Sequence, residues 1–337
     1  GSAMPQAYKE DVPARAAVAD IDRLSALAVP GASAVKLHEN LGAPEGVHRF
    51  TLCRREEPVV LFELLPIFAS LGADVLEERP YAIGDEGSPI AWVYDVALRL
   101  PRAPEDVAHD DAAKRFCEAF LAAWRGQAEV DGLNALVSTT ALTWREVAWV
   151  RAWLQYAGQL GSPYSYQYSE RMILANGSIT ELLVRLFEAR LDPQLDPPDR
   201  EAAAEALDAA ISAAIDNVAS LDADRILRQL HAIVLATLRT NAFQTEPDGS
   251  PRPTLALKLA PSEIPGVPAP VPAYEIWVSS PRISGVHLRF GAVARGGLRW
   301  SDRPEDMRTE ILGLVKAQMV KNAVIIPVGA KGGFIVK

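Results

Sequence analysis

Three cations stand beside small residues near the end of this sequence. Arg295 precedes Gly296-Gly297, Lys331 lies between Gly329-Ala330 and Gly332-Gly333, and Lys321 follows Gln318 by three positions. Glycine lets a ligand approach the backbone closely, and fixed cations beside it suit a small dianion. Gln318 and Lys321, at i and i+3 near the end of an expected helix, share one face and both donate to a carboxylate. The glycines around Lys331 are expected to form a sharp turn that leaves its amine room to meet a substrate. A lysine held near other cations and partly desolvated has its pKa lowered, which fits it for general-base work near neutral pH. Arg295 can grip a second carboxylate through two parallel hydrogen bonds. Singly, each feature has a plainer role open to it. Lys321 can cap helix carbonyls, Arg295 and Arg299 can form surface ion pairs, and Gly332-Gly333 can be a simple turn. The segment from Gly329 to Gly333 is not a phosphate loop, because that spacing and a Ser or Thr after the lysine are missing.

Together, in this order, the motifs resemble domain I of the glutamate dehydrogenases, most closely their large bacterial NAD-dependent class. Compact members carry Lys-Gly-Gly-(Leu/Ile)-Arg, then Gln-x-x-Lys on a helix, then a strand and Gly-(Gly/Ala)-Lys-Gly-Gly. This chain has Arg295-Gly296-Gly297-Leu298-Arg299, Gln318-Met319-Val320-Lys321 and Gly329-Ala330-Lys331-Gly332-Gly333. The resemblance is anchored from about Leu238 to Lys337. It implies that Lys331 is the catalytic lysine activating water for attack on an iminium, and that Lys321 and Gln318 bind the α-carboxylate. Gly296 and Gly297 would bring the backbone close to substrate. Arg295 stands where compact members have a lysine for the distal carboxylate, an exchange that keeps the charge and alters the geometry. The family's catalytic aspartate and its Rossmann domain would both follow Lys337, and no G-x-G-x-x-G occurs in this sequence.

The elements that must hold these residues follow from hydrophobic periodicity. The expected fold is multidomain α+β. Residues 1–4 read as a tag remnant, and residues 5–45 as an arm or linker with one short helix around Ala14–Ala28. Residues 46–130 form a strand–helix–strand–strand–helix module. Its strands are expected at Val47–Arg54, Ala73–Ile83 and Ile90–Leu100, its first helix from Pro58 to Leu71, and its second after Asp110. That order resembles a ferredoxin-like, ACT-type regulatory module. The turn in which such modules carry a glycine is Arg54-Arg55-Glu56-Glu57-Pro58 here, so a structural or oligomerising role is favoured over ligand binding. Residues 131–245 read as an all-helical domain, with a capping box at Ser178 and Glu181. Its aromatic stripe of Trp144, Trp149, Trp153 and Tyr156 is assigned to packing ahead of ligand binding. The Pro- and Gly-rich stretch from Gln244 to Pro272 marks a boundary. Residues 246–337 then begin the α/β substrate domain, with strands at Tyr274–Ser279, Gly285–Phe290 and Ala323–Val328. A helix capped by Asp302 carries Met307, Ile311, Leu314, Val315 and Gln318 on one face.

Composition sets limits on function. With 337 residues, two or three domains are expected, and 49% hydrophobic and 23% charged residues are ordinary for a globular protein. Two cysteines, Cys53 and Cys117, indicate no disulfide framework and fit a reducing cytoplasm. No apolar run approaches the length of a membrane span. Net charge is −9, but from Gly285 onward nine Lys and Arg face four Asp and Glu, so that segment is +5 and the rest −14. An acidic body argues against nucleic-acid binding, while a basic end suits an anionic small molecule. No metal is expected. The expected parent oxidises L-glutamate to 2-oxoglutarate and ammonium with NAD, as a homo-oligomer. The chain itself reads as an excised piece, inactive alone, because the aspartate and cofactor domain are missing. The alternative is a regulatory or assembly fragment whose ACT-type module senses an amino acid.

Overall fold

The computed structural model describes residues 4–39, 44–85, 88–101, 108–291, 296–321 and 329–337. The chain divides into two compact units, residues 1–125 with 130–144 and residues 126–129 with 145–337.

In the first unit, helices α1 (Gln6–Asp11) and α2 (Ala14–Ala26) precede strands β1 (Ser33–Glu39) and β2 (Val47–Arg55). Helix α3 (Leu61–Ser70), strands β3 (Asp74–Asp85) and β4 (Ser88–Arg99), helix α4 (His109–Trp124) and the short α5 (Leu136–Thr139) complete it. The sheet is antiparallel, in the order β1-β2-β4-β3. Alternation sends Phe50 and Leu52 of β2 to one face, where Phe50 meets Phe68 of α3 at 5.1 Å and Phe120 of α4 at 4.7 Å between ring centroids. Cys53 of β2 and Val93 of β4 point to the other face and pack with Met4, Tyr8, Leu27 and Tyr81.

Residues 5–45 therefore differ from an arm with one helix. They supply two helices that cover a sheet apolar on both sides, together with its edge strand. Met4, within the stretch read as a tag remnant, is buried in that cluster. Helix α3 starts at Leu61 rather than Pro58, because the Val59 N–H donates to Tyr94 Oη at 2.6 Å and Val60 stays extended. Burial pushes the Cys53 thiol up to about 12 and the Cys117 thiol up to about 11, and both are free.

The second unit opens with helices α6 (Trp144–Gln159), α7 (Tyr166–Ala175), α8 (Gly177–Leu191), α9 (Pro197–Asp216) and α10 (Leu221–Leu235). The expected capping box does not form. Asn176 is the residue at the boundary between α7 and α8, and Ser178 lies inside α8. Trp149, Trp153 and Tyr156 are buried, and the two indoles pack on Phe187 at 5.2 and 5.3 Å, so this aromatic stripe is core.

The sheet of this unit contains β5 (Thr237–Thr240), β6 (Leu255–Leu259), β7 (Tyr274–Ser279), β8 (Ile283–Arg289), β9 (Leu298–Trp300) and β10 (Ala330–Val336), in the order β5-β6-β7-β8-β10-β9. Only the β10–β9 pairing is parallel among the described strands. The run of consecutive helices thus ends at Leu235, and the Pro- and Gly-rich stretch from 244 to 272 contains β6, a member of the same sheet as β5. Helix α11 (Met307–Lys321) buries Met307, Ile311 and Val315. It begins five residues after Asp302, since the carbonyls of Pro304 and Glu305 accept from Gln159 Nε2 at 2.8 and 3.2 Å instead of opening the helix. The strand expected at Ala323–Val328 lies outside the described residues.

One carboxyl group among the helices is poised near neutrality. Burial, then the charge of Glu146 and a hydrogen bond shared with it, push Glu188 of α8 from 4.5 to about 7. A raised carboxyl pKa means that the folded state binds the proton more tightly. This contribution is complete below pH 4.5 and is lost as the pH rises to about 7. Glu188 is only partly buried and shares its proton with Glu146, so the loss is expected to be about 1–2 kcal/mol. In Glu188→Gln, urea denaturation should show a gain of that size at pH 8 and none at pH 4. Equal effects at both values would contradict the assignment.

Candidate functional site

The basic end of the chain folds around β10. Lys331, Gly332 and Gly333 lie in the middle of this strand rather than in the sharp turn expected for them. Lys331 pairs with Leu288 of β8, and Gly332 sits between His287 of β8 and Leu298 of β9. Strand interiors disfavour glycine unless something approaches closely, and here something does. A Cβ on Gly333 would run into Ile311 Cδ1 of α11. One on Gly332 would lie 2.5 Å from Leu298 Cδ2 and 3.0 Å from His287 Cδ2. The glycines are therefore demanded by packing on both faces of the strand. Alternation places Lys331 on the same face as Gly333, the face covered by α11.

Gly296 is pressed against the same strand, where a Cβ would collide with the Ala330 carbonyl. The Gly297 carbonyl accepts from the Gly332 N–H at 3.1 Å. Gln318, on the last turns of α11, is adjacent to Gly329, since a Cβ there would come 3.2 Å from Gln318 Oε1. The structure thus gathers Gly296, Gly297, Gln318 and Lys331 around the start of β10. Arg295 lies outside the described residues. Lys321 closes α11, and its side chain lies outside them too. Arg299 takes one of the plainer roles, pairing with Glu310 at 3.1 Å, while Ser301 Oγ donates to the other Glu310 oxygen at 2.6 Å. An amine, a side-chain amide and closely approached backbone suit an oxygen-rich anion.

Sequence reasoning missed the residues that seat α11. Arg308, in its first turn, forms a fully buried ion pair with Glu275 of β7, with Nε 2.9 Å from Oε2 and Nη2 on Oε1. Tyr156 of α6 donates to Oε2 at 2.8 Å, and the Arg308 N–H donates to Gln159 Oε1 at 2.9 Å. The alternation of Tyr274 to Ser279, which puts Glu275 on the face of Trp277, was the available signal. A charge at an inward position calls for a partner.

Gly296 and Gly297 offer a paired test. An alanine at 296 must displace the β10 backbone and should cost roughly 1–3 kcal/mol, whereas 297 has open space around an added Cβ and should change stability by less than about 0.5 kcal/mol. Thermal melts of Gly296→Ala and Gly297→Ala measure both, and equal losses would refute the packing described.

Residues 210–337 match the model of the bacterial NAD-glutamate dehydrogenase catalytic domain. Residues 128–193 match glutamate dehydrogenase helical motif 3, residues 32–112 its ACT3 domain and residues 1–27 its helical motif 2. The ACT3 match includes β1. The NAD-specific glutamate dehydrogenase of Mycobacterium tuberculosis is 46% identical over 100% of this chain and 21% of its own length. Those of Halomonas elongata and Pseudomonas aeruginosa are 42% and 41% identical over 99% and 98% of this chain, each over 20% of their own length. The chain spans about a fifth of the length of the curated relatives it matches. Matched along most of its residues by domains of one enzyme, the chain belongs to the bacterial NAD-glutamate dehydrogenase family as a segment of it.

Proposed function

We propose that this segment supplies the substrate-carboxylate side of the active site of an NAD-dependent glutamate dehydrogenase, which oxidises L-glutamate and releases 2-oxoglutarate and ammonium. The observation that carries the reading is the packing of Gly296-Gly297 on Ala330-Lys331 with Gln318 of α11 beside Gly329. In this reading Gln318 and Lys321 hold the α-carboxylate, and Arg295 meets the distal carboxylate. Gly296 and Gly297 keep side chains out of the substrate's way. Lys331 takes a proton from water as that water attacks the iminium carbon, and the hydrated carbon then expels ammonia.

The described residues do not fit a dinucleotide. Their sheet is largely antiparallel, and no strand–glycine turn–helix unit of the G-x-G-x-x-G kind occurs in it. NAD, the acceptor named for the relatives, would be held by other parts of the enzyme. The reading therefore gives this chain alone no dehydrogenase activity. In the whole enzyme, Lys331→Ala should lower kcat by about 10²–10⁴-fold. Gln318→Ala should mainly raise KM for glutamate, by about tenfold, as loss of one hydrogen bond to a charged group implies. Rates of NADH formation decide this, and a Lys331→Ala enzyme with unchanged kcat ends the proposal.

The first unit supports a second role, in assembly. Its strand order, with two helices on one face, is read as a ferredoxin-like, ACT-type module whose fourth strand, β1, comes from the preceding segment. The turn from Arg54 to Pro58 is filled by the ion pairs Arg54–Glu57 and Arg55–Glu56, with Glu56 at φ 64°, which speaks against an amino-acid site there. Helix α3 and the residue before it, by contrast, expose Val60, Leu61, Phe62 and Leu65, with Phe62 79% exposed. Such a face favours association with a second copy. Light scattering should show a dimer or larger species that Phe62→Asp converts to monomer, and a monomeric starting chain would remove this role.

A further inference from the structure

Strand β9 owes its place to something other than burial. The register of a strand is strongly set where one face is buried, because a slip of one residue turns every side chain to the opposite face. All three residues of β9 are exposed, Leu298 by 72% and Trp300 by 67%. The strand lies at the edge of the sheet, with β10 as its neighbour over Leu298 to Trp300. Its register nevertheless matters, because β9 directly follows Gly296-Gly297 and so sets where their backbone meets Ala330 and Lys331. A slip of one residue would carry those glycines about 3.3 Å along β10.

Glu310 of α11 supplies the constraint. Its Oε2 accepts from Ser301 Oγ at 2.6 Å, and its Oε1 lies 3.1 Å from Arg299 Nε. Arg299 and Ser301 are two positions apart and so share one side of the strand, the side that α11 covers. Ser301 is 3% exposed, and its N–H donates to the Phe334 carbonyl at 2.8 Å, so this one residue ties β9 to both helix and strand. Of the two contacts the serine bond carries more, because Arg299 is 61% exposed and water screens its charge.

Other registers would strip Glu310 of these donors. A slip of one residue brings Leu298 or Asp302 to one of the two places, an apolar group or a second carboxylate. A slip of two puts Gly297, which has no side chain, in the place of Arg299, or Arg303, already paired with Asp306, in that of Ser301. The Glu310 side chain is only 16% exposed, so water would compensate it poorly. We propose that Glu310 is a positioning residue for substrate binding. It fixes the register of β9 and thereby the Gly296-Gly297 backbone, on the reading above that these glycines border the substrate.

Two measurements test this. In the chain, hydrogen exchange of the Ser301 and Gly332 amides, which donate to Phe334 and Gly297, reports whether β9 is seated. Glu310→Ala should speed both by about tenfold or more, while amides between β7 and β8 keep their rates. Glu310→Gln, whose amide oxygen still accepts from Ser301, should speed them by about threefold or less. In the whole enzyme, Glu310→Ala should raise KM for glutamate by about tenfold and leave KM for NAD unchanged. Its kcat should stay within about threefold, because Lys331 remains on β10, paired with β8. Ser301→Ala should reproduce most of the KM effect and add nothing to it in the Glu310→Ala background. Unchanged exchange at Ser301 and Gly332, or equal acceleration between β7 and β8, would overturn the assignment. So would faster exchange with an unchanged KM for glutamate, or equal rises for glutamate and NAD. Failure of the active-site reading itself shows separately, in Lys331→Ala.

Discussion

The second unit depends on one buried charge pair. Glu275 and Arg308 have side chains 0% and 1% exposed, and neither is a stable occupant of a protein interior alone. Burial opposes the guanidinium's charge, but the hydrogen bonds and charge of Glu275 outweigh it and hold Arg308 protonated. Burial and the same carboxylate drive the Tyr156 phenol far above its ordinary range, so it stays a donor. One carboxylate thus accepts from an α6 hydroxyl and an α11 guanidinium while standing on a central strand. Removing one partner of such a pair typically costs 3–5 kcal/mol, because the other is left charged and unpaired.

The geometry of the proposed active site follows from that anchor. Helix α11 is a rod rising about 1.5 Å per residue, so fixing Arg308 sets Gln318 about 15 Å away. At the near end the pair and Gln159 tie the first turn to α6 and β7. At the far end, Val315, Gln318 and Met319 meet Gly329. Between them Ile311 occupies the space that Gly333 leaves open. The glycines of β10 allow helix and strand to approach closely, and the ion pair determines where along the sheet they do so.

The two sheets answer to different constraints. In the first unit both faces are apolar, so helices on both sides of the sheet are needed to cover them; α1 and α2 supply the second cover, and β1 extends the sheet beneath them. In the second unit burial alternates along β7, with Glu275, Trp277 and Ser279 inward, and helices cover that face. The inward row mixes polar and apolar groups. That mixture produces both the satisfied Glu275 and the Trp277 indole whose N–H faces no described acceptor.

By itself the sequence determined the elements with clear periodicity and the identity of the chemical groups. Strand β7 occupies the residues its alternation predicts, the helix carrying Met307, Ile311 and Val315 buries that face, and the order of the glycine–lysine motifs points to one family. These are local properties, written in the spacing of side chains along the chain. Only the tertiary structure decided that Lys331-Gly332-Gly333 is a strand. Glycine reads locally as a turn, and the neighbours that require it here, Ile311 and Leu298, are distant in sequence. It also decided that residues 5–39 complete a sheet, that 244–272 contain a strand, and that Arg308 finds Glu275, 33 positions away. Periodicity records that a face is to be buried. What buries it, and which charge meets which, is settled only when the separate segments pack together.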